Sequence, residues 1–431
     1  MPTGDGLLAR LLPPAPVSLD VFAALCEASE AHGNGVMEVT QRGSLQIRGL
    51  TPSSAPAFAG IAVKLGLGED DAPPILTSPL LGLEIGEGID LNALAMNLRK
   101  ELRNHPAIAS IGPKVSLAID GGGALHLDDV PADLRLRADT ASHGAHLHVS
   151  LAGTAAAATE LGWVEPRHAI EVVFRVLAGI AGRGAAARAR DFANPADVRA
   201  LRASLAGLIL GEPRPAARPA AEPLGIHRLN DGRVAQGVAP AFGYADASVL
   251  KRWVLAAACC GAHSIRPAPG RALLAIGLAE SAGEEFAASA AAAGFVVRPD
   301  DARRYVVACS GAPACASALL STRQLAAQIA RTAEPLLDGS LTLHVSGCAK
   351  GCAHPGAAAL TLVGPGSLVV QGRAADAPHA CVSADDFVAG LPRLEGQRLR
   401  LPGGRERSAD MMSRLGAARV LAAMRGAPAH D

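Results

Sequence analysis

The chain carries no net charge, because 40 Lys and Arg stand against 40 Asp and Glu. No global field would draw it to nucleic acid or to an anionic membrane, so any anion site must be local. It also lacks a run of about twenty residues free of charges and helix breakers, and nothing reads as a transmembrane helix. Residues 1–16 show no apolar core followed by a small-residue cleavage site, and Arg10 and several prolines interrupt them, which argues against export. A phosphate-binding loop is missing too. Gly179-Ile180-Ala181-Gly182-Arg183-Gly184 ends a helical pattern instead of following a strand, so it does not meet the requirement of a dinucleotide fold. Eight cysteines in a chain of 431 residues read as thiols and metal ligands, not as a disulfide framework. The expectation is a soluble, cytoplasmic protein with no nucleic-acid or membrane partner.

What is present comes in two weakly similar copies. Residues 17–50 run helix (Val17 to Ala31), Gly-rich turn, strand (Val36 to Thr40), turn at Gln41-Arg42-Gly43, and strand (Ser44 to Leu50). Residues 245–278 repeat that order, with a helix from Asp246 to Cys260, a strand from His263, a turn at Pro267 to Gly270, and Ala272 to Leu278 closing again on Gly-Leu. The match predicts a duplicated α+β unit packed about a pseudo-twofold axis, with a site between the copies. Between them Ile170, Val173, Phe174, Leu177 and Ile180 fall at helical spacing. Gly211 to Pro223, rich in Pro, Arg and Ala, reads as a linker.

Two cysteine pairs carry the chemistry. Cys309 and Cys315 form C-x5-C, Cys348 and Cys352 form C-x3-C, and 32 residues separate the pairs. Four soft thiolates suit a [4Fe–4S] cubane. Each pair follows a predicted strand, Tyr305 to Ala308 and Leu341 to Val345. A helix predicted over Ala316 to Ile329 would place its positive end at the anionic cluster. A structural zinc site or four unrelated core thiols are the alternatives, although C-x5-C lies outside usual zinc-finger spacing. Cys26, Cys259 and Cys260 read as packing residues on helices, and Cys381 has no assigned role.

The paired motifs resemble the cluster signature of sirohaem-dependent sulfite and nitrite reductases, and the duplicated unit resembles their ferredoxin-like repeats. Within that superfamily, Thr3-Gly4-Asp5-Gly6-Leu7-Leu8-Ala9-Arg10, Thr40-Gln41-Arg42-Gly43-Ser44-Leu45-Gln46-Ile47-Arg48-Gly49 and the run from Leu343 to Pro355 look like the precorrin-3B synthase family. The similarity covers nearly the whole chain. It implies an α+β fold of two halves related by a pseudo-twofold, each a ferredoxin-like repeat plus a larger α/β domain. The expected division is 1–72 and 73–210, a linker at 211–223, then 224–298 and a cluster-binding domain at 299–431. It further implies an oxygen-dependent monooxygenase of aerobic cobalamin biosynthesis, which hydroxylates a precorrin-3A-type tetrapyrrole at a meso carbon and closes a lactone. That activity uses the cluster and a mononuclear non-haem iron. Electrons would come from a separate reductase or ferredoxin. The resemblance also places an upstream segment before Met1-Pro2-Thr3-Gly4, which leaves the true start of the chain open.

The residues bear on this choice. Alternation puts Gln46 and Arg48 on one strand face, opposite Leu45 and Ile47. With Thr40, Arg42, Lys114 and Lys350 they are candidates for a cationic cradle around a carboxylate-rich macrocycle, since a guanidinium binds a carboxylate through two hydrogen bonds. Arg271 is the loose counterpart in the second repeat. The reductases carry two lysines one residue apart at the Lys114 position, whereas here Ser116 stands two along, which weakens a reductase reading. His146, His148 and His354 are the histidines considered for a second iron, although a satisfied polar role is the more common one for a lone histidine. Two further readings stay open: a sirohaem reductase with Cys352 bridging cluster and haem, and a non-catalytic electron carrier or zinc-stabilised binding protein.

Overall fold

The computed structural model describes residues 2–68, 72–85, 87, 89–105, 110–139, 146–192, 194–211 and 214–425. The duplication is explicit in its sheets. The first five-stranded sheet contains Pro2–Thr3, Gly6–Leu11, Leu45–Leu50, Val36–Val39 and Tyr244–Asp246 in that spatial order. A second contains Gly225–Arg228, Val234–Val238, Ala272–Leu278, Ser264–Ala268 and Val17–Ser18. Each sheet thus takes its fifth strand from the other copy, which locks the two repeats together about a pseudo-twofold.

Each borrowed strand leads into a helix. Ser18 caps Leu19–His32, accepting a hydrogen bond from the Val21 N–H, and Asp20 sits favourably in its first turn. Phe22, Leu25 and Cys26 on this helix are buried, as are Leu250, Trp253 and Val254 on its partner Ala247–Cys259. The two helices pack on each other, and with Ile47, Met37, Leu273 and Ala275 from the inner sheet faces they form one core shared by both repeats. Cys26 belongs to that core, where burial pushes its thiol up to about 12. The predicted Gly-Leu ending has a cause: Gly49 and Gly277 have φ of 71° and 97°. A Cβ at either would strike Asn34 or His263.

The larger domains are also related. One has strands Ile75–Thr77, Leu117–Asp120, Ala132–Ala138, Leu147–Gly153, Thr159–Val164 and Ile209–Leu210, the first three parallel and the rest antiparallel. The other repeats that pattern with Val306–Ala308, Leu343–Ser346, Ala358–Val363, Ser367–Gly372 and Ala380–Cys381. Gly121-Gly122-Gly123 therefore follows its strand where the Cys348–Cys352 loop follows the matching strand. Among the described residues, no helix is long and apolar enough to cross a membrane.

Element ends differ from expectation: the helices expected from Val17 and Asp246 begin at Leu19 and Ala247, because the residues before them are strand. The helix predicted over Ala316 to Ile329 begins only at Thr322 and runs to Thr332. Residues 316–321 satisfy backbone groups across the loop instead, Ala316 N–H to the Gly4 carbonyl and Leu319 N–H to the Gly347 carbonyl. The helix start therefore lies beside Cys309, whose carbonyl accepts from Thr322 Oγ1 at 2.6 Å, and not beside Cys315. The strand predicted over Leu341 to Val345 runs Leu343–Ser346.

Candidate active site

The solvent-side face of the first repeat's sheet forms the floor of a cavity of about 470 Å³, and the two cysteine loops form its roof. Arg10, Gln46, Glu38 and Tyr244 are direct partners across four adjacent strands, so one polar row crosses the floor. With its amide oriented to satisfy both neighbours, Gln46 donates to Glu38 at 3.0 Å and accepts from Arg10 at 3.1 Å. The opposite side chains, Leu45 and Ile47, are in the core. Strand alternation thus separates chemistry from packing as the sequence predicts.

The cations fall into two groups. Arg48 donates through Nε and Nη2 to the two carboxylate oxygens of Asp5, both at 2.7 Å, and through Nη1 to Glu38 at 3.1 Å. Burial alone would lower its pKa, but these bonds raise it overall. Arg323 lies 3.8 Å over the Tyr244 ring and 3.7 Å from Glu38. The charges of Arg48 and Arg323 are therefore already balanced. Arg10, Arg42, Arg271 and Lys350 line the same cavity, and none of them pairs with a carboxylate among the described residues. Arg42 uses one donor on Ser116 Oγ at 3.0 Å, and Arg271 uses one on the Ala353 carbonyl at 3.1 Å. Burial lowers the pKa of both, a preference that an arriving anion would reverse. Arg271 holds a left-handed backbone with φ of 63°. Gly243 makes room for its stem, since a Cβ there would lie 2.8 Å from Arg271 Cδ.

Thr40 closes the turn that carries Arg42, with its Oγ1 2.8 Å from Ser44 Oγ and accepting from the Ser44 N–H at 3.0 Å. Gly43 at its tip has φ of 77° and packs on Ala268 of the other repeat. Lys114 is exposed and does not line the cavity; it lies two residues before Ser116, the partner of Arg42. The cavity thus gathers Thr40, Arg42, Gln46, Arg48, Arg271, Lys350 and all four predicted cysteines, and leaves Lys114 outside. Arg10, Glu38, Asp5 and Arg323 were not singled out from sequence. Arg10 and Glu38 become visible only once their strands are paired with Gln46.

The cysteine loops are bonded to one another. Gly347 N–H donates to Cys309 Sγ at 3.2 Å, and Leu319 N–H reaches the Gly347 carbonyl at 2.9 Å. Burial raises the Cys352 thiol, and Cys348, Cys309 and Cys315 raise it further, so all four sulfurs lie within electrostatic range. No three of them fall within 4.8 Å of one another. A tetrahedral zinc would hold its sulfurs roughly 3.8 Å apart, given Zn–S bonds of about 2.3 Å. A cubane binds each thiolate to a different iron and spreads them wider. The sulfur set fits the cluster better than a single ion.

A second metal finds no comparable fit in the cavity. His148 meets Glu160 at 2.5 Å and packs edge-on against Trp163, and His354 Nε2 lies 3.2 Å from the Ala357 carbonyl. Neither these nor His146 lines the cavity. Among the described residues the one converging group of three potential ligands is Asp120, His126 and Asp128, and Arg218 from the linker segment already bonds both aspartates.

The comparisons with known proteins agree with this architecture. Residues 1–63 match the nitrite/sulfite reductase ferredoxin-like half domain. The chain is 24% identical over 370 residues to a ferredoxin sulfite reductase of Mycolicibacterium paratuberculosis, covering 78% of this chain and 66% of that one. The solved structure of Mycobacterium tuberculosis NirA superposes with a TM-score of 0.74 at 22% identity, over 96% of this chain and 84% of that one, which speaks to the fold. A precorrin-3B synthase of Sinorhizobium is 36% identical over 428 residues, 98% of this chain and 92% of the relative. The chain belongs to the precorrin-3B synthase family. It is accordingly an oxidoreductase.

In this precorrin-3B synthase family member the pseudo-twofold generates a second crevice, and it is closed. Aligning Leu50 with Leu278 pairs Gln46 with Leu274, Arg48 with Ile276, Thr40 with Ala268 and Glu38 with Arg266. Leu274, Ile276 and Ala268 are fully buried in a cluster with Leu80 and Leu125 of the first large domain. Duplication supplied two equivalent surfaces; the second is filled by apolar side chains, and its Arg266 is buried on the Pro13 carbonyl and Thr77 Oγ1.

Proposed function

We propose that this chain converts a precorrin-3A-type tetrapyrrole to its meso-hydroxylated lactone in aerobic cobalamin biosynthesis, using dioxygen and electrons from a separate reductase or ferredoxin. One observation carries the reading: the four cysteines line a cavity that also holds four cations without carboxylate partners among the described residues. A uroporphyrinogen-derived ring carries many carboxylates, and a cavity with unpaired Arg and Lys side chains is the complementary surface. When bound, a [4Fe–4S] cluster held by Cys309, Cys315, Cys348 and Cys352 supplies single electrons.

The chain's own residues then do three things. Arg42 and Arg271, from the facing turns of the two repeats, grip carboxylates through guanidinium forks while Ser116 and Ala353 hold their orientation. Arg10 and Lys350 add charge at the floor and roof, and Gln46 and Thr40 offer neutral hydrogen-bonding groups to the macrocycle edge. Lys114, exposed and outside the cavity, is not part of this set. Among the described residues that line the cavity there is no histidine to help hold a mononuclear iron.

The test is an anaerobic single turnover with chemically reduced protein and the tetrapyrrole. Product should appear only after dioxygen is admitted, and product formed without it would refute the monooxygenase reading. The reductase-like fold favours one competitor, a sirohaem enzyme. Strong sirohaem absorbance in the purified protein would select that competitor, whereas a broad cluster spectrum alone supports the synthase.

A further inference from the structure

We propose that Asp5 is a positioning residue for the cluster: by clamping Arg48 it holds the N-terminal tip, residues 2–6, against the Cys315 corner of the site. This rests on the cluster reading of the four cysteines.

The Thr3-Gly4-Asp5-Gly6 motif reaches across the cavity from the first sheet to the roof. The Gly4 carbonyl accepts from the Ala316 N–H at 2.7 Å, immediately after Cys315. A Cβ at Gly4 would lie 2.1 Å from Cys315 Sγ, so only glycine lets the main chain rest against that sulfur. The next residue anchors the tip. The Asp5 side chain is 2% exposed, and both its oxygens are on the Arg48 fork. Thr3 Oγ1 lies 2.7 Å from one of them. Burial by itself would raise the Asp5 pKa, but the Arg48 and Thr3 bonds bring it below its ordinary value.

A second tie lies at the far end of the segment that follows Cys315. Arg323, in the first turn of Thr322–Thr332, pairs with Glu38, which also binds Arg48. The segment from Ala316 to Arg323, whose Thr322 hydroxyl donates to the Cys309 carbonyl, is thus tied at both ends to groups that hold one guanidinium. This assigns a use to the one cavity arginine whose charge is balanced twice over: it fixes the roof, while the unpaired cations remain for a ligand.

The experiment is anaerobic release of iron from the reconstituted holoprotein to excess EDTA, followed by loss of cluster absorbance, with EPR of the reduced cluster alongside. Asp5→Asn removes the charge and one of two matched acceptors. Losing a charge-assisted pair should speed release by roughly tenfold or more. It should also shift the EPR g-values, which a general loss of stability would leave in place. Gly4→Ala tests the same contact without touching the ion pair, and it carries the test if Asp5→Asn does not fold. A folded Asp5→Asn or Gly4→Ala protein with wild-type release and wild-type g-values overturns the proposal. A wild-type protein that never acquires a cluster would instead overturn the cluster reading itself.

Discussion

Replacing Arg42 with Met is the sharpest perturbation of the cavity's binding chemistry. Methionine keeps much of the stem's volume and deletes the fork, leaving the buried Ser116 hydroxyl its contact with Asp133 at 3.5 Å. Arg42 has five N–H donors and gives one to Ser116, so the others are available to a ligand carboxylate. A charge-assisted hydrogen bond contributes about 1.5–3 kcal/mol, which corresponds to a loss of roughly tenfold to a hundredfold in affinity. Arg42→Lys should fall between, because an ammonium keeps the charge without the bidentate geometry. The assay is equilibrium titration with uroporphyrin, a stable polycarboxylate macrocycle, at two salt concentrations. Cluster absorbance recorded on the same samples shows whether the roof is intact. Wild-type affinity in Arg42→Met with an intact cluster would refute the reasoning, because the cavity would then not be reading carboxylates through its unpaired cations.

Other consequences follow from the same geometry. His344 is 1% exposed with neither ring nitrogen bonded, and burial, then His354 and Arg271, lower its pKa to about 4. The unfolded chain takes up that proton first, so stability should fall as pH drops from about 6.5 toward 4, by about 2 kcal/mol at pH 5. Urea unfolding of His344→Leu should show that dependence removed; an unchanged pH profile would mean another group is responsible. Gly49→Ala meets both a φ of 71° and a Cβ position 2.5 Å from Asn34. It should destabilise the first repeat by about 1–3 kcal/mol in the same assay. Cys348→Ala and Cys352→Ala should each abolish cluster absorbance and activity together, and retained cluster bands in either would show that the ligand is misassigned.

The duplicated unit was legible because its periodicity and its closing Gly-Leu are local features, and the same local logic exposed the cysteine pairs. Gln46 and Arg48 were placed on the correct face by strand alternation alone. Their roles were not, since whether an arginine meets a ligand or an internal acid depends on residues distant in the chain. Arg48 is answered by Asp5 and Glu38, whereas Arg10, on a short neighbouring strand, lines the cavity with no carboxylate partner among the described residues. The helix expected after Cys315 started late because cross-loop hydrogen bonds outcompeted local propensity. Nothing in Leu343-His344-Val345 signals a buried ring without hydrogen-bond partners that packs edge-on against His354.

The measurement that bears most directly on the account is metal and acid-labile sulfide content of anaerobically purified protein, with Mössbauer spectra of the iron. Iron and sulfide in cubane proportion, lost on replacing any one of the four cysteines, is the expected result. One zinc per chain with no sulfide would contradict the account at its root.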